Sequence, residues 1–366
     1  MASKTNNTIR FNFIGALVTP KNGFITETDS KFGSGKTLRL NFGIKVGANT
    51  EFCGLMDYPK DTIYSVNTNN ESINISWDDR NDPQVLSSIA TYRKFRTNVG
   101  CEANEIKEFS TGYDFIQYLA ENLSDCGGQL NVSGTLSVRY DNKGILRHNY
   151  NISSVWLRRP NEKGQLSLLV PLTYWKDCVD KSDFKSTGKI TLNAYVLQYI
   201  NKDEGNKYLP FSVVFDSTIY DQTIPAEKEK LDYKMKYVDC ALKTPHAMLW
   251  DVRVVNGAPE VEFDESQLTE MQKLQIRLGE ATLDDFRPRG QIYGTRVSEL
   301  RLCKPVFRDD FKDGMADLGY KVSEFEDMVY APAHDESIAD MERSASASDA
   351  EPKSDTPEFQ DDDELF

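Results

Sequence analysis

Apolar and polar side chains alternate along residues 37–46, TLRLNFGIKV. Apolar side chains occupy one parity and mainly polar ones the other, which is a repeat of two residues. Successive side chains of a β-strand point to opposite faces, so this pattern predicts a strand with one buried face. Similar strand patterns occur at 9–18, 130–140, 145–158, 189–200 and 207–217. We therefore expect a mainly β protein with a few helices.

The alternating segment includes the end of GSGKT at 33–37, which resembles the end of a phosphate-binding P-loop. A P-loop requires a first glycine where this chain has Ser30, and a helix after its lysine, which would be Lys36. Because a strand is predicted here, no helix N-terminus is available to hold a phosphate. We interpret the motif as a glycine-rich turn between two antiparallel strands.

Three segments combine helix-capping residues with apolar residues at helical spacing. Asp82 is the predicted cap of the first, Thr111 of the second and Asp264 of the third. The third is expected to end at Gly279. Its predicted apolar face consists of Leu268, Met271, Leu274 and Leu278.

A weak internal repeat indicates two related halves. ISSVWLRRP at 152–160 aligns without gaps with VSELRLCKP at 297–305, and IRFN at 9–12 resembles ITLN at 190–193. A helix precedes the closing strand in each half. Five strands with a helix before the fourth is the layout of the OB-fold, a partly open barrel that binds oligonucleotides. In the second half the fourth strand is hard to place, because TLDDFRPRG contains a proline and few apolar residues.

The sequence thus predicts two OB-like barrels in tandem and a disordered acidic tail. The expected divisions are a first domain at 1–160, a connector at 161–188, a second domain at 189–310, a packing segment at 311–331 and the tail at 332–366.

The charge of the chain is concentrated in its last part. The net charge is −14, and the residues from Asp310 onward hold 18 acidic and 4 basic side chains. The remaining 39 acidic and 39 basic residues cancel, so the body can carry local basic patches. Residues 332–360 are rich in Ser, Ala, Pro, Asp and Glu, a composition that predicts disorder.

The tail ends in DDDELF, residues 361–366, called the acidic tip below. An aromatic ring beside carboxylates is typical of a recognition peptide whose ring enters an apolar pocket on a partner. The tail could also lie across a basic groove of its own chain as a weak decoy for nucleic acid. The expected partner-binding residues are Asp361, Asp362, Asp363, Glu364, Leu365 and Phe366.

A β-barrel body, a disordered linker and an acidic tip that ends in Phe366 resemble single-stranded DNA-binding proteins, especially those of bacteriophages. Leu365 departs from the bacterial pattern, which has a proline there. The resemblance implies protection of single-stranded DNA during replication, recombination and repair, and recruitment of replication and recombination proteins through the tip. The polar N-terminus MASKTNN lacks the apolar core of a signal peptide, so a cytoplasmic location is expected, in the host if the protein is viral.

Binding single strands without sequence preference requires basic side chains along the phosphates and aromatic rings that stack on the bases. Both kinds of residue occur at positions predicted to face outward. Trp156 fits the core as well as the surface, and the sequence does not distinguish DNA from RNA. The candidate nucleic-acid-binding residues are Arg10, Lys36, Arg39, Lys45, Arg139, Lys143, Arg147, Tyr150, Trp156, Tyr195, Tyr199, Lys207, Arg289 and Tyr293.

Two alternatives remain open at this point. Asp78, Asp79 and Asp82 could hold magnesium for a nuclease, although no matching Glu, Lys or His constellation is evident, and we expect a protein without catalytic residues. A structural β-protein, such as a virion component, or an acidic-tailed chaperone would need the strands but no basic groove.

Cysteine and histidine spacing indicates no zinc site, so no metal or other cofactor is expected. No apolar run is long enough to cross a membrane, and we expect none as a partner.

Overall fold

The computed structural model describes residues 8–30, 35–66, 71–89, 95–102, 105–141, 143–239, 242–257, 268–278, 297–307 and 315–331. Several predicted features lie outside the described residues. They are the site residues Arg289 and Tyr293, the helix cap Asp264, and the tail with its acidic tip.

Strands dominate the described part of the chain, as the alternating patterns predicted. The strands are β1 (Ile9–Val18), β2 (Ile25–Asp29), β3 (Lys36–Val46), β4 (Asn49–Asp57), β5 (Thr62–Val66), β6 (Ser72–Ser76), β7 (Phe95–Thr97), β8 (Lys107–Phe109), β9 (Gln129–Tyr140), β10 (Leu146–Leu157), β11 (Gln165–Tyr174), β12 (Val179–Asp180), β13 (Lys189–Tyr199), β14 (Asn206–Asp216), β15 (His246–Gly257), β16 (Val297–Pro305) and β17 (Met315–Asp317). The helices are α1 (Pro83–Ser88), α2 (Gly112–Asn122), α3 (Phe184–Thr187), α4 (Pro225–Val238), α5 (Glu270–Arg277) and α6 (Val322–Glu326).

Fifteen strands join in one sheet, and β5 pairs with β6 in a separate hairpin. The order along the sheet is β2-β3-β4-β15-β16-β14-β13-β11-β1-β9-β10-β7-β8, with β12 on β13 and β17 on β15. Additional pairings of β3 with β1, β4 with β10 and β15 with β11 connect strands that are distant in this order. The mainly β class is therefore confirmed. Two separate tandem barrels are not, because the main strands of both halves belong to one sheet.

Within this sheet the pairings close two circuits of five strands each. In the first circuit, β1 pairs with β3, β3 with β4, β4 with β10, β10 with β9 and β9 with β1. In the second circuit, β11 pairs with β13, β13 with β14, β14 with β16, β16 with β15 and β15 with β11. Antiparallel pairing of β1 with β11 joins the circuits through the first strand of each.

The segment predicted as a connector contains one of the central strands. Within 161–188, β11 runs from Gln165 to Tyr174, and most of its side chains are buried. It pairs with β1, β13 and β15. The second circuit therefore begins at Gln165 and not at residue 189.

The fourth strand of the second circuit is β15, and the helix before it is α4. Neither element was predicted from the sequence. Along α4 the buried residues are Leu231 and Val238, so apolar periodicity is weak. The first five residues of β15 are all buried, and a continuous apolar run lacks the alternation that identifies a half-buried strand.

The internal repeat aligned equivalent strands at its end but not at its beginning. The two aligned closing segments form β10 and β16, and each pairs in parallel with the third strand of its own circuit. The earlier match joins 9–12 on β1 with 190–193 on β13. These are the first strand of one circuit and the second strand of the other, so the strands are not equivalent.

Two predicted helix caps are confirmed. The Asp82 carboxylate accepts the backbone N–H of Gln84 at 2.7 Å, at the start of α1. The Thr111 hydroxyl accepts the backbone N–H of Asp114 at 3.1 Å, at the start of α2. Each cap satisfies a donor that the helix itself leaves free.

The predicted apolar face of the third helix is largely exposed. Leu268 is buried, whereas Met271, Leu274 and Leu278 are exposed on or beside α5. The described helix begins after Thr269, which forms a capping box with Gln272. None of the described helices combines the length and apolar character needed to cross a lipid bilayer.

Candidate functional site

The outer face of the first circuit brings four predicted basic residues together. Arg39 lies on β3, Arg139 on β9, Arg147 on β10, and Lys143 in the turn between β9 and β10. They line two adjoining concavities of about 490 and 460 Å³, which share Arg139 and Asn149. These two concavities are called the basic groove below.

Because side chains alternate along a strand, the Arg39 side chain points into the groove. Its neighbours Leu38 and Leu40 are buried in the core, so the side chain between them points outward. In the pairing of β3 with β4, Arg39 lies opposite Met56. One guanidinium nitrogen of Arg39 lies 3.7 Å from the Met56 sulfur, which places a cation beside an exposed thioether.

Two arginines face each other across the β9–β10 hairpin. Arg139 and Arg147 are direct partners in its register, and both are exposed. Arg147 donates from Nε to the Asp141 carboxylate at 2.8 Å. Hydrogen bonds from the Ile145 backbone N–H and from Arg147 hold the pKa of Asp141 below its ordinary value. One carboxylate thus offsets only part of the charge of the arginine pair.

An aspartate and a glycine shape the turn at the end of this hairpin. The Asp141 carboxylate accepts the backbone N–H groups of Lys143 and Ile145 at 2.9 and 3.0 Å. Gly144 adopts a positive φ of 71°, a conformation that favours glycine. The turn therefore holds Lys143 at the same edge of the groove as Arg147.

The groove carries an excess of positive charge. Among the described residues that line it, Asp141 is the single carboxylate. Within the described part of the chain, the side chains of Arg39, Arg139 and Lys143 form no ion pair. An anion in the groove would meet cations whose charges are not already neutralised.

The groove also contains two apolar residues that were not predicted from the sequence, Phe52 and Met56. Their exposed fractions are 46% and 50%, and both belong to β4. They lie on the outward parity, because Cys53 is buried and Leu55 packs against the core. Apolar residues on both parities of NTEFCGLMD are the signal that could have indicated an exposed apolar surface.

Tyr150 was predicted to face outward, but it is buried and contributes only to the wall of the basic groove. Its ring is buried and lies 5.5 Å from the ring of Phe11 and 5.0 Å from that of Phe13. Strict alternation along β10 would place Trp156 on the same face as Tyr150. A register shift between Ile152 and Ser154 places the two side chains on opposite faces instead. Trp156 is consequently half-buried, on the side of the strand opposite to buried Val155.

Gly134 on β9 lies opposite this bulge. A Cβ atom at this position would lie 2.0 Å from the Asn151 carbonyl oxygen. Glycine therefore permits the close approach of β9 and β10 that accompanies the shift in parity.

The predicted residues of the second circuit that the structure describes, Tyr195, Tyr199 and Lys207, do not form a comparable groove. The ring of Tyr195 stacks on Trp175 at 5.7 Å and meets Phe325 edge-on at 5.3 Å, so neighbours already cover it. Lys207 is ion-paired with Glu204 at 3.6 Å. Tyr199 is 66% exposed at the end of β13.

The other predicted basic residues of the first circuit do not line the basic groove. Arg10 is exposed on β1, between β9 and β11. Lys36 is ion-paired with Glu27 at 3.4 Å in the β2–β3 hairpin. Lys45 is exposed near the opposite end of β3, where it pairs with Thr50.

In the acidic loop considered as a magnesium site, residues 78–82, two side chains form structural contacts. Asp82 caps α1, and the intervening Arg80 forms an ion pair with Asp114 at 2.9 Å. In the described part of the chain, no group of three or more His, Cys, Asp or Glu residues is placed to hold a metal ion.

The candidate site is interpreted from its geometry, because comparison with known families and curated proteins found no match.

Proposed function

We propose that this protein binds single-stranded DNA without sequence preference and protects it during replication and recombination. The observation that carries the proposal is the place of the basic groove in the first circuit. It lies over the second and third strands, β3 and β4, and beside the turn between the fourth and fifth strands, β9 and β10. OB-folds bind oligonucleotides with these same elements.

The chemistry of the groove suits an unpaired strand. Arg39, Arg139 and Lys143 supply charge for phosphates, and Phe52 supplies an exposed ring for a base. Asn149 and Asn151 add neutral polar side chains between them. Stacking and phosphate contacts are largely independent of base identity, which favours sequence-independent binding.

Titration into fluorescent oligo-dT at two salt concentrations tests the proposal. We expect binding at low salt that weakens steeply as salt rises, because phosphate contacts release counterions. The double variant R39A/R139A should bind more weakly and with a smaller salt dependence. Lys228, exposed on α4, provides the matched control K228A. Absence of binding by the wild-type protein at low salt would favour a structural β-protein instead.

The acidic tip is proposed to recruit replication and recombination proteins. Its four carboxylates and its Leu-Phe pair suit a partner pocket that is apolar inside and basic at the rim. Deletion of 332–366 should abolish recruitment and leave DNA binding unchanged or stronger. Weaker DNA binding by this truncated protein would contradict the idea that the tail competes with DNA.

A further inference from the structure

A separate concavity adjoins the basic groove at the end of β4. It has a volume of about 320 Å³ and lies between β4, the β5–β6 hairpin, β7 and the start of α2. Leu55 and Met56 line both this concavity and the basic groove, so the two are direct neighbours. It is called the side pocket below.

Three aromatic rings from different elements line the side pocket. They are Tyr64 of β5, Trp77 after β6 and Phe95 of β7. Tyr64 is 69% exposed, whereas Trp77 and Phe95 are half-buried. An aromatic lining contributed by three elements suits a flat ligand with apolar faces.

Neighbouring side chains hold Trp77 in place. The Arg80 guanidinium lies 4.4 Å from its ring, and Tyr113 meets that ring edge-on at 5.8 Å. Arg80 also donates to the Trp77 carbonyl oxygen at 2.8 Å and is ion-paired with Asp114. The indole is therefore positioned before any ligand arrives, which reduces the ordering cost of binding.

The polar groups of the side pocket are few. Ser65, Ser110 and Thr111 contribute to its wall, and Asp57 and Lys60 form an ion pair at 2.8 Å. An acidic peptide entering here would meet a lysine that is already neutralised. A neutral flat group with hydrogen-bonding edges does not need an unpaired lysine in order to bind.

We propose that the side pocket receives one nucleobase of the single strand that lies in the basic groove, an inference that rests on the proposed function. Arg39 stands at the junction, because its strand partner Met56 lines both concavities. The phosphate next to the inserted base lies at Arg39, and the base itself lies among the rings of Tyr64, Trp77 and Phe95. The pocket thereby fixes the register of the strand at one nucleotide.

The experiment measures oligo-dT binding by the full-length chain and its Y64A variant. We expect affinity to fall at least about fivefold, because stacking on an aromatic ring contributes at least that factor per base. The dependence of affinity on salt should stay as in wild type, since Tyr64 carries no charge. The matched control is Y233A, which removes a ring that is 47% exposed on α4.

Photo-crosslinking provides a second readout that does not depend on the variant. Oligo-dT containing 5-iododeoxyuridine should crosslink to Tyr64, Trp77 or Phe95, as mapped by mass spectrometry. Unchanged affinity in Y64A together with crosslinks only at Phe52 would overturn the side-pocket inference and leave the proposed function standing. Absence of wild-type binding at low salt would overturn both. A DDDELF peptide that binds wild type but not Y64A, with DNA affinity unchanged, would assign the pocket to a peptide and overturn the nucleobase.

Discussion

Arg139 and Arg147 lie directly opposite each other in the register of β9 and β10, with their side chains on the outer face of the first circuit. Like charges at such positions destabilise a sheet by a few tenths of a kcal/mol up to about 1 kcal/mol. Asp141 neutralises part of this charge through Arg147, and Arg139 has no ion-pair partner among the described residues. A bound polyanion would relieve the repulsion, so this arrangement favours ligand binding over stability of the free protein.

The first prediction concerns R139A. Affinity for oligo-dT should fall, and the slope of log affinity against log salt should become shallower by about 0.7, as expected for the loss of one phosphate contact. The free energy of unfolding should stay the same or rise by up to about 1 kcal/mol, because a like-charge pair is removed. Salt-dependent titration and urea unfolding measure the two effects. A large loss of stability would show that Arg139 has a structural role instead.

Phe52 provides a test of base stacking in the basic groove. F52A should weaken oligo-dT binding by about 1–3 kcal/mol, the usual contribution of a stacked base. Its thermal stability should change little, since the ring is 46% exposed in the unbound protein. Phe307 is 50% exposed outside the groove, so F307A is the matched control. Equal affinities of the two variants would exclude Phe52 as a stacking residue.

Tyr150 is expected to contribute to stability and not to binding. Y150A should lower the free energy of unfolding by about 3–5 kcal/mol, because it removes a buried ring packed on Phe11 and Phe13. Y150F keeps that packing and should bind oligo-dT as the wild type does. Urea unfolding and titration distinguish the roles, and weaker DNA binding by a stably folded Y150F would contradict this assignment.

Phe325 should anchor the segment after β17. Its buried ring contacts Trp175, Tyr195 and Tyr208 at centroid distances of 5.3, 5.3 and 4.4 Å. F325A should therefore destabilise the protein by about 3–5 kcal/mol. Tyr195 should also become more reactive toward a tyrosine-modifying reagent, since α6 no longer shields it. Unchanged Tyr195 reactivity would mean that other residues suffice to cover this ring.

His246 should make stability depend on pH below neutrality. Its ring is buried 4.7 Å from that of Tyr174, and burial lowers its pKa below the ordinary 6.5, although Thr244 and Asp317 oppose the shift. The unfolded state then binds more protons, so stability is fully present above about pH 6.5 and is lost as pH falls through the lower folded pKa. Unfolding measured at pH 7.5 and 5.5 should show a smaller difference for H246Q than for wild type. An equal difference would assign the pH dependence to other groups.

Local features of the fold could be predicted because they depend on residues close in sequence. The alternation that surrounds Arg39 specifies a half-buried strand wherever the strand pairs. Asp82 and Thr111 cap helices because their side chains reach N–H groups two or three residues away. The helix α4 escaped prediction because only two of its residues are buried, which leaves little apolar periodicity.

The site was predictable in part. The outward positions of Arg39, Arg139 and Arg147 followed from alternation. The sequence could not show that Tyr150 and Trp156 lie on opposite faces of β10, because the bulge beside Gly134 reverses the side-chain alternation between them. Tyr195 shows a different limit, since the residue that covers it, Phe325, lies 130 positions away in the chain.

The β class, most of the long strands, two helix caps and many of the outward-facing charged side chains can be read from the amino-acid sequence. These properties arise from the two-residue period of strands and from contacts within a single turn. Three features could be seen only in the folded chain: the strands of both halves join one sheet, β11 begins the second circuit, and Arg39 lines the same groove as the arginines of β9 and β10. Such convergence depends on pairing between distant strands, and the side-chain period of a strand carries no information about which other strand it will pair with.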